Sequence, residues 1–225
     1  MSNLLEFTTV DPINGMNSKN PGKAQNLLSG EWLDTSKYFD NIPDPVSGEY
    51  FLDIPDTEDL SGFIQNLDIC PKSGLHNPIK NVERYVMLGN VCAKAAALLS
   101  NKEVEDFFVH LIQRVMPKSS NQCLGEVTVT RKFLENFSGM ESAFWREVSP
   151  TQAITGQESS GYRWPFGSVV IVAPFNFPLE IPALQFMGAL FMGNRPLIKS
   201  ATTVGIVFEQ FFKALNSLRP SSDRC

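Results

Sequence analysis

The feature that most constrains the fold is the run Ser168-Val169-Val170-Ile171-Val172-Ala173. It is apolar, rich in β-branched residues and broken by Pro174 and Pro178, the pattern of a buried strand covered on both faces. A helix pattern follows from about Leu179 to Met192, with Glu180 and Pro182 in its first turn and Gly193-Asn194 as a stop signal. Arg195–Lys199 then reads as a second strand and Thr203–Leu215 as a second helix. The order β-α-β-α is the unit of a parallel, doubly wound sheet, which places the chain in the α/β class.

The residues before this unit read differently. Residues 1–26 are polar and rich in Asn, Gly, Ser and Pro, an irregular arm. Asn26–Leu33, turning at Ser29-Gly30, and Glu49–Ile54, after Pro45-Val46-Ser47-Gly48, carry the signals of short antiparallel strands at the edge of the fold. Helices dominate the rest of 27–150. They are expected over Asp56–Leu67, Asn81–Leu99, Val104–Val115 (closed by Pro117) and Gly125–Phe137. Thr151–Trp164 is polar and reads as a connector or an exposed strand pair, so that 151–225 opens the parallel sheet.

Composition removes several classes of function. Hydrophobic residues make up 43% and charged residues 19%, which argues for a packed globular chain. The net charge of −5 leaves no basic excess for a phosphate backbone, so nucleic acid is not an expected partner. Basic residues do lie close together at Arg114 and Lys118 and at Arg131 and Lys132. Glu126 and Glu135 interleave them, as on solvated helix faces. No membrane span is expected, since the longest apolar run, Gly167–Phe177, is interrupted by Ser168, Pro174 and Asn176. The N-terminus lacks both a signal-peptide core and a basic transit helix. The four cysteines show no CxxC spacing and only His76 and His110 accompany them, so no metal site is expected and a reduced, intracellular setting fits.

In an open α/β sheet, ligands bind at the C-terminal ends of the strands. Here that edge carries Ala173-Pro174-Phe175-Asn176-Phe177-Pro178. Two prolines fix the backbone around one polar side chain. Asn176 has two readings: a helix cap, or an amide whose NH2 donates to a developing oxyanion. Lys199 ends the second strand on the same edge, either reaching solvent or contacting a ribose or phosphate. Neither common glycine-rich nucleotide fingerprint occurs, and Gly188 and Gly193 read as packing and capping residues. Cys92 lies on the apolar stripe of a helix, and Cys70 and Cys123 sit near element ends as inert thiols. Scattered acids such as Glu147 read as solvated.

The segment GSVVIVAPFNFPLEIPALQFMGALFMGN resembles the start of the cofactor domain in the aldehyde dehydrogenase superfamily, with its Pro-aromatic-Asn-Phe-Pro turn. The stretches CPKSGLHNP (70–78), ERY (83–85), RKFLENF (131–137) and GYRWPFG (161–167) are similar to the plant-type Δ1-pyrroline-5-carboxylate dehydrogenase branch. The likeness runs from about residue 20 to about 223. It implies the N-terminal part of the aldehyde dehydrogenase fold. The helical region 27–150 would belong to the cofactor domain, and 151–225 would be an incomplete doubly wound, Rossmann-like NAD-binding sheet. It further implies oxidation of glutamate γ-semialdehyde to glutamate in proline breakdown, with NAD as cofactor, a small aldehyde as substrate, a homo-oligomer and a mitochondrial address, a cytoplasmic one being the alternative.

By the same resemblance Asn176 is the oxyanion-hole amide, Val172, Ala173, Pro174 and Phe175 line the NAD site, and Lys199 contacts the adenosine ribose. One departure stands out: the family's Pro-x-Glu after this lysine is Ser200-Ala201-Thr202 here, which leaves the choice between NAD and NADP open. The family mechanism also needs a cysteine thiolate and a water-activating glutamate. The resemblance places both beyond residue 225, so the chain alone is expected to be inactive, marginally stable and self-associating. A non-catalytic NAD-binding or subunit-interaction module is the alternative.

Overall fold

The computed structural model describes residues 7–35, 37–71, 82–138, 147–148 and 161–218. His76, Cys225, most of the 151–164 connector and the side chain of Glu147 fall outside them. The elements run β1 (Gly22–Lys23), β2 (Asn26–Leu28), β3 (Glu31–Leu33), β4 (Tyr38–Pro43), β5 (Tyr50–Pro55), α1 (Ser61–Asp68), α2 (Val82–Leu99), α3 (Lys102–Val115) and α4 (Ser120–Glu135). After these come β6 (Glu147–Val148), β7 (Gly161–Tyr162), β8 (Ser168–Val172), α5 (Glu180–Phe191), β9 (Arg195–Lys199) and α6 (Gly205–Ser217).

The β-α-β-α unit forms as its sequence predicts. β8 and β9 pair in parallel, in register from Ser168 opposite Arg195 to Val172 opposite Lys199. α5 ends at a left-handed Gly193 (φ 86°). The Gly193 amide donates to the Leu190 carbonyl at 2.9 Å and that of Asn194 to Ala189 at 3.0 Å, the paired bonds that satisfy a helix C-terminus. Gly188, by contrast, is not a close-packing site: a Cβ there would meet nothing within 4 Å. The buried Asn194 side chain accepts from the amides of Phe166 (2.7 Å) and Gly167 (3.2 Å), which fastens the start of β8 to the end of α5.

The expectation that β8 is covered on both faces is corrected. Ile171 and Ile198 pack against the core, but Val170 and Val172 are 61% and 74% exposed. The reason is geometric. α1 reaches only the starting ends of the strands, where Ser168 Oγ donates to the Leu67 carbonyl and Arg195 to that of Asn66. Among the described residues the sheet has two strands, and nothing further along covers the second face.

β2 and β3 form the hairpin expected at Ser29-Gly30, whose positive φ values of 54° and 90° suit a two-residue loop. β4, absent from the sequence reading, pairs antiparallel with β5, and β1 joins the other side of β5 in parallel. The stretch read as an irregular arm packs inward: Phe7 and Met16 are 5% and 1% exposed. Phe7 meets both Phe107 and Phe108 of α3. An aromatic core continues through Phe108, Phe211, Phe208 and Phe186, joining α3, α5 and α6. β7, at the end of the connector, is half-buried and pairs antiparallel with β6, which precedes the connector; most of the connector lies outside the described residues.

α6 holds a buried polar cluster against the arm. Gln210 donates to Thr9 Oγ1 and accepts from the Thr9 amide. The Lys213 ammonium reaches Glu209 at 2.6 Å and lies over the Trp32 ring. Burial pushes the Glu209 carboxyl up to about 7, against the opposing pull of Lys213 and the Gln25 amide. An acid whose folded value is raised stabilises the fold fully below its unfolded value, near ~4.3, and loses that contribution as pH rises through about 7. Unfolding free energy should therefore fall by on the order of 2–3 kcal/mol between about pH 5 and pH 8. Urea titrations across that range should show the slope largely removed in Glu209→Gln.

Candidate functional site

The C-terminal edge of the parallel pair brings the candidate residues together. Val172 lies opposite Lys199, and the Ala173 amide donates to the Lys199 carbonyl at 3.0 Å, which extends the ladder one residue past β8. Ala173 is buried, whereas Val172 and Phe175 are 74% and 55% exposed. Pro174 and Asn176 are exposed too. Lys199 is exposed, and among the described residues its ammonium makes only a long 3.4 Å contact with Thr202 Oγ1. Two apolar side chains, one primary amide and one ammonium are thus exposed at or just beyond this edge.

Asn176 does not cap α5. The residue before that helix is Leu179, whose side chain makes no cap either. The helix N-terminus is satisfied from α4: Glu126 Oε1 accepts from the amides of Leu179 at 2.8 Å and Glu180 at 3.2 Å. Its other oxygen accepts from the Lys118 ammonium at 3.0 Å. That ammonium sits 4.1 Å from the centroid of the Phe177 ring. A carboxylate at a helix N-terminus meets orphan amides and the positive end of the helix dipole, so this arrangement fills the capping role, one of the two readings of Asn176. The Asn176 amide makes no hydrogen bond to another described residue.

Two expectations for α4 and its approach are corrected here. Glu126 is not solvated: it is 2% exposed, and Lys118, expected on a solvated face, keeps only 11% of its side chain accessible. Their burial follows from the helix stripe, because Glu126 shares the inward face with Cys123, Val127, Thr130 and Leu134. α4 also starts earlier than its apolar pattern suggests. Ser119 and Gln122 form a reciprocal capping box that sets its first turn directly after Lys118. Glu135, by contrast, is exposed as expected and pairs with Arg131.

The buried thiols offer no nucleophile. Burial raises the Cys92 thiol to about 12. Burial also raises Cys123, with Lys118 opposing and Glu126 adding to the shift. Burial and the neighbouring Glu126 raise the Glu180 carboxyl, and Lys118 opposes them. His110 is exposed, its Nδ1 2.7 Å from the Asp106 carbonyl oxygen. Among the described residues no group of three or more His, Cys, Asp or Glu could hold a metal, and no helix is long and apolar enough to cross a membrane.

Comparison with known proteins places this geometry in context. Residues 88–219 match the aldehyde dehydrogenase family. The chain is 46% identical over 219 residues to delta-1-pyrroline-5-carboxylate dehydrogenase 12A1, mitochondrial, of Arabidopsis thaliana, covering 96% of this chain and 39% of that protein. It is also 46% identical over 218 residues to a probable aldehyde dehydrogenase of Linum usitatissimum, again 96% of this chain and 39% of the relative. The chain therefore spans about two fifths of the length of these curated relatives. Among solved structures, 1-pyrroline-5-carboxylate dehydrogenase from Thermus with bound NAD superposes with a TM-score of 0.65 at 18% identity, over 89% of this chain and 38% of that one. The fold is that of the N-terminal part of such enzymes, and the chain belongs to the aldehyde dehydrogenase family.

Proposed function

We propose that these residues supply the oxyanion-binding amide and one wall of the cofactor site in an NAD-dependent enzyme that oxidises glutamate γ-semialdehyde to glutamate. The observation that carries this reading is the exposed Asn176 amide, which makes no hydrogen bond to another described residue, in the turn leaving β8 at the strand edge that also carries the exposed Lys199. An amide whose donors meet no acceptor among the described residues, held in a short turn between two prolines, can donate to an aldehyde oxygen as negative charge develops on it. The donor is most effective if it is held in place before the reaction, and the anchors on either side of the turn do this.

The strand edge fits a dinucleotide. Val172 and Phe175 offer exposed apolar surface for a planar ring, and the lightly engaged Lys199 ammonium offers donors to ribose hydroxyls. Bound there, NAD would take up the hydride released from the substrate. The 46% identity to the Arabidopsis enzyme supports the choice of substrate and a mitochondrial setting. By the same likeness the working enzyme is a homo-oligomer.

The test is reduction of NAD by the full native protein with glutamate γ-semialdehyde, set against acetaldehyde and succinate semialdehyde, and repeated with NADP. The expected result is a kcat/KM at least about tenfold higher for glutamate γ-semialdehyde, and higher with NAD than with NADP. Equal rates on all three aldehydes would sink the substrate assignment. Cofactor binding with no turnover on any of them would favour a binding module instead.

A further inference from the structure

We propose that the buried Lys118–Glu126 pair is a positioning element that fixes the Pro174–Pro178 turn and, through it, the direction of the Asn176 amide. The inference rests on the reading of Asn176 as the oxyanion donor. The turn is held at two points. At one end the Ala173 amide donates to the Lys199 carbonyl. At the other, the Leu179 and Glu180 amides both donate to one carboxylate oxygen of Glu126. Between these anchors lie five residues, two of them prolines, so little backbone freedom remains at Asn176.

The second anchor is built more elaborately than a helix cap requires. A single Ser or Asp just before the helix would satisfy one or two amides locally. Here the acceptor comes from α4, some fifty residues away in sequence, and is itself held by a nearly buried ammonium. That ammonium also touches the turn, lying over the face of Phe177, the residue next to Asn176. Lys118 is fixed in turn, its carbonyl accepting from Gln113 Nε2 at 3.1 Å and its C-terminal neighbour Ser119 opening α4 through the capping box. One ion pair thus contacts the turn on both sides of Pro178. A buried charge pair contributes little net stability compared with apolar packing, so its retention here is better explained by the geometry it imposes.

The test is a double-mutant cycle in the full native protein, with Glu126→Ala and Asn176→Ala alone and together, read by aldehyde turnover and by hydrogen exchange across residues 175–180. Glu126→Ala should lower kcat by at least about tenfold and leave the aldehyde KM nearly unchanged, the signature of an interaction used only in the transition state. In the Asn176→Ala background it should cost less than about twofold more, because the donor it positions is already gone. Exchange at the Leu179 and Glu180 amides should rise at least about tenfold in both backgrounds.

Glu126→Gln keeps an acceptor for the two amides and should restore their protection and part of kcat. Lys118→Met should lower kcat while leaving those amides protected. These two variants carry the test if Glu126→Ala does not fold. An equal loss of kcat with and without Asn176 would overturn the proposal, as would faster exchange with kcat unchanged. If Asn176→Ala itself leaves kcat intact in a protein that turns over aldehyde, the oxyanion reading fails. The exchange data would then report on the anchor alone.

Discussion

In the full native protein, replacing Asn176 by alanine is expected to lower kcat by about two to three orders of magnitude, which corresponds to about 2.7–4 kcal/mol of lost transition-state stabilisation. The same change should alter unfolding free energy by no more than about 0.5 kcal/mol. The two expectations belong together. Asn176 is exposed, makes no hydrogen bond to a described residue and does not cap α5, so the folded state does not depend on its amide. A side chain with no hydrogen bond to a described residue, placed between two prolines at the C-terminal edge of a parallel strand pair, is where a purely catalytic cost should appear. Asn176→Asp should be worse than alanine, because a carboxylate there would repel the negative charge that an oxyanion-binding amide would meet. Steady-state kinetics and urea unfolding on the same preparations decide the matter. A stability loss that tracks the activity loss would return Asn176 to a structural role.

The sequence reading succeeded where a local rule and the tertiary context agree. The β8-α5-β9-α6 unit was legible because β-branched runs, prolines at the helix start and Gly193 at its end each act over a few residues. Val172 and Lys199 could be placed on one edge from element order alone, and their opposed register bears this out. Phe7 and Met16 were not legible as core, since single apolar residues in a polar stretch carry no period. β4 was hidden by its mixture of polar residues and Pro43.

Glu126 is the instructive miss. Its spacing from Cys123, Thr130 and Leu134 put it on the buried stripe, a signal available in the sequence. Its charge argued for solvent, and what overrode that was a partner fifty residues away: the unsatisfied amides at the start of α5. Long-range satisfaction of a helix terminus leaves no local mark. The double coverage inferred for β8 failed for the complementary reason, because an apolar run shows that a surface can be buried without showing which part of a chain buries it.

Arg114→Ala should produce a large loss of stability, about 3 kcal/mol, at the lower end of what breaking a buried ion pair costs. Asp44 is 8% exposed at the turn between β4 and β5 and pairs with Arg114 of α3. The same guanidinium donates to the Met16 carbonyl at 2.6 Å and lies over the Phe51 ring. One side chain therefore ties the arm, the β4-β5 turn and the helical layer together. Burial alone would raise the Asp44 carboxyl, but the Val46 amide, the Arg114 guanidinium and the Ser47 amide together hold it below its ordinary value. Those two amides remain in the variant, which is why the expected cost is not larger. A carboxylate with a lowered folded pKa stabilises the fold above its unfolded value, near ~3.9, and loses that contribution as pH falls through the folded one. The gap between wild type and Arg114→Ala should accordingly be full at neutral pH and narrow below about pH 4 as Asp44 takes up its proton. Asp44→Ala combined with Arg114→Ala should cost clearly less than the two single changes added, since neither charge is then left buried without its partner. Strict additivity in urea unfolding would show that the pair is incidental and that Arg114 acts through Met16 and Phe51 alone.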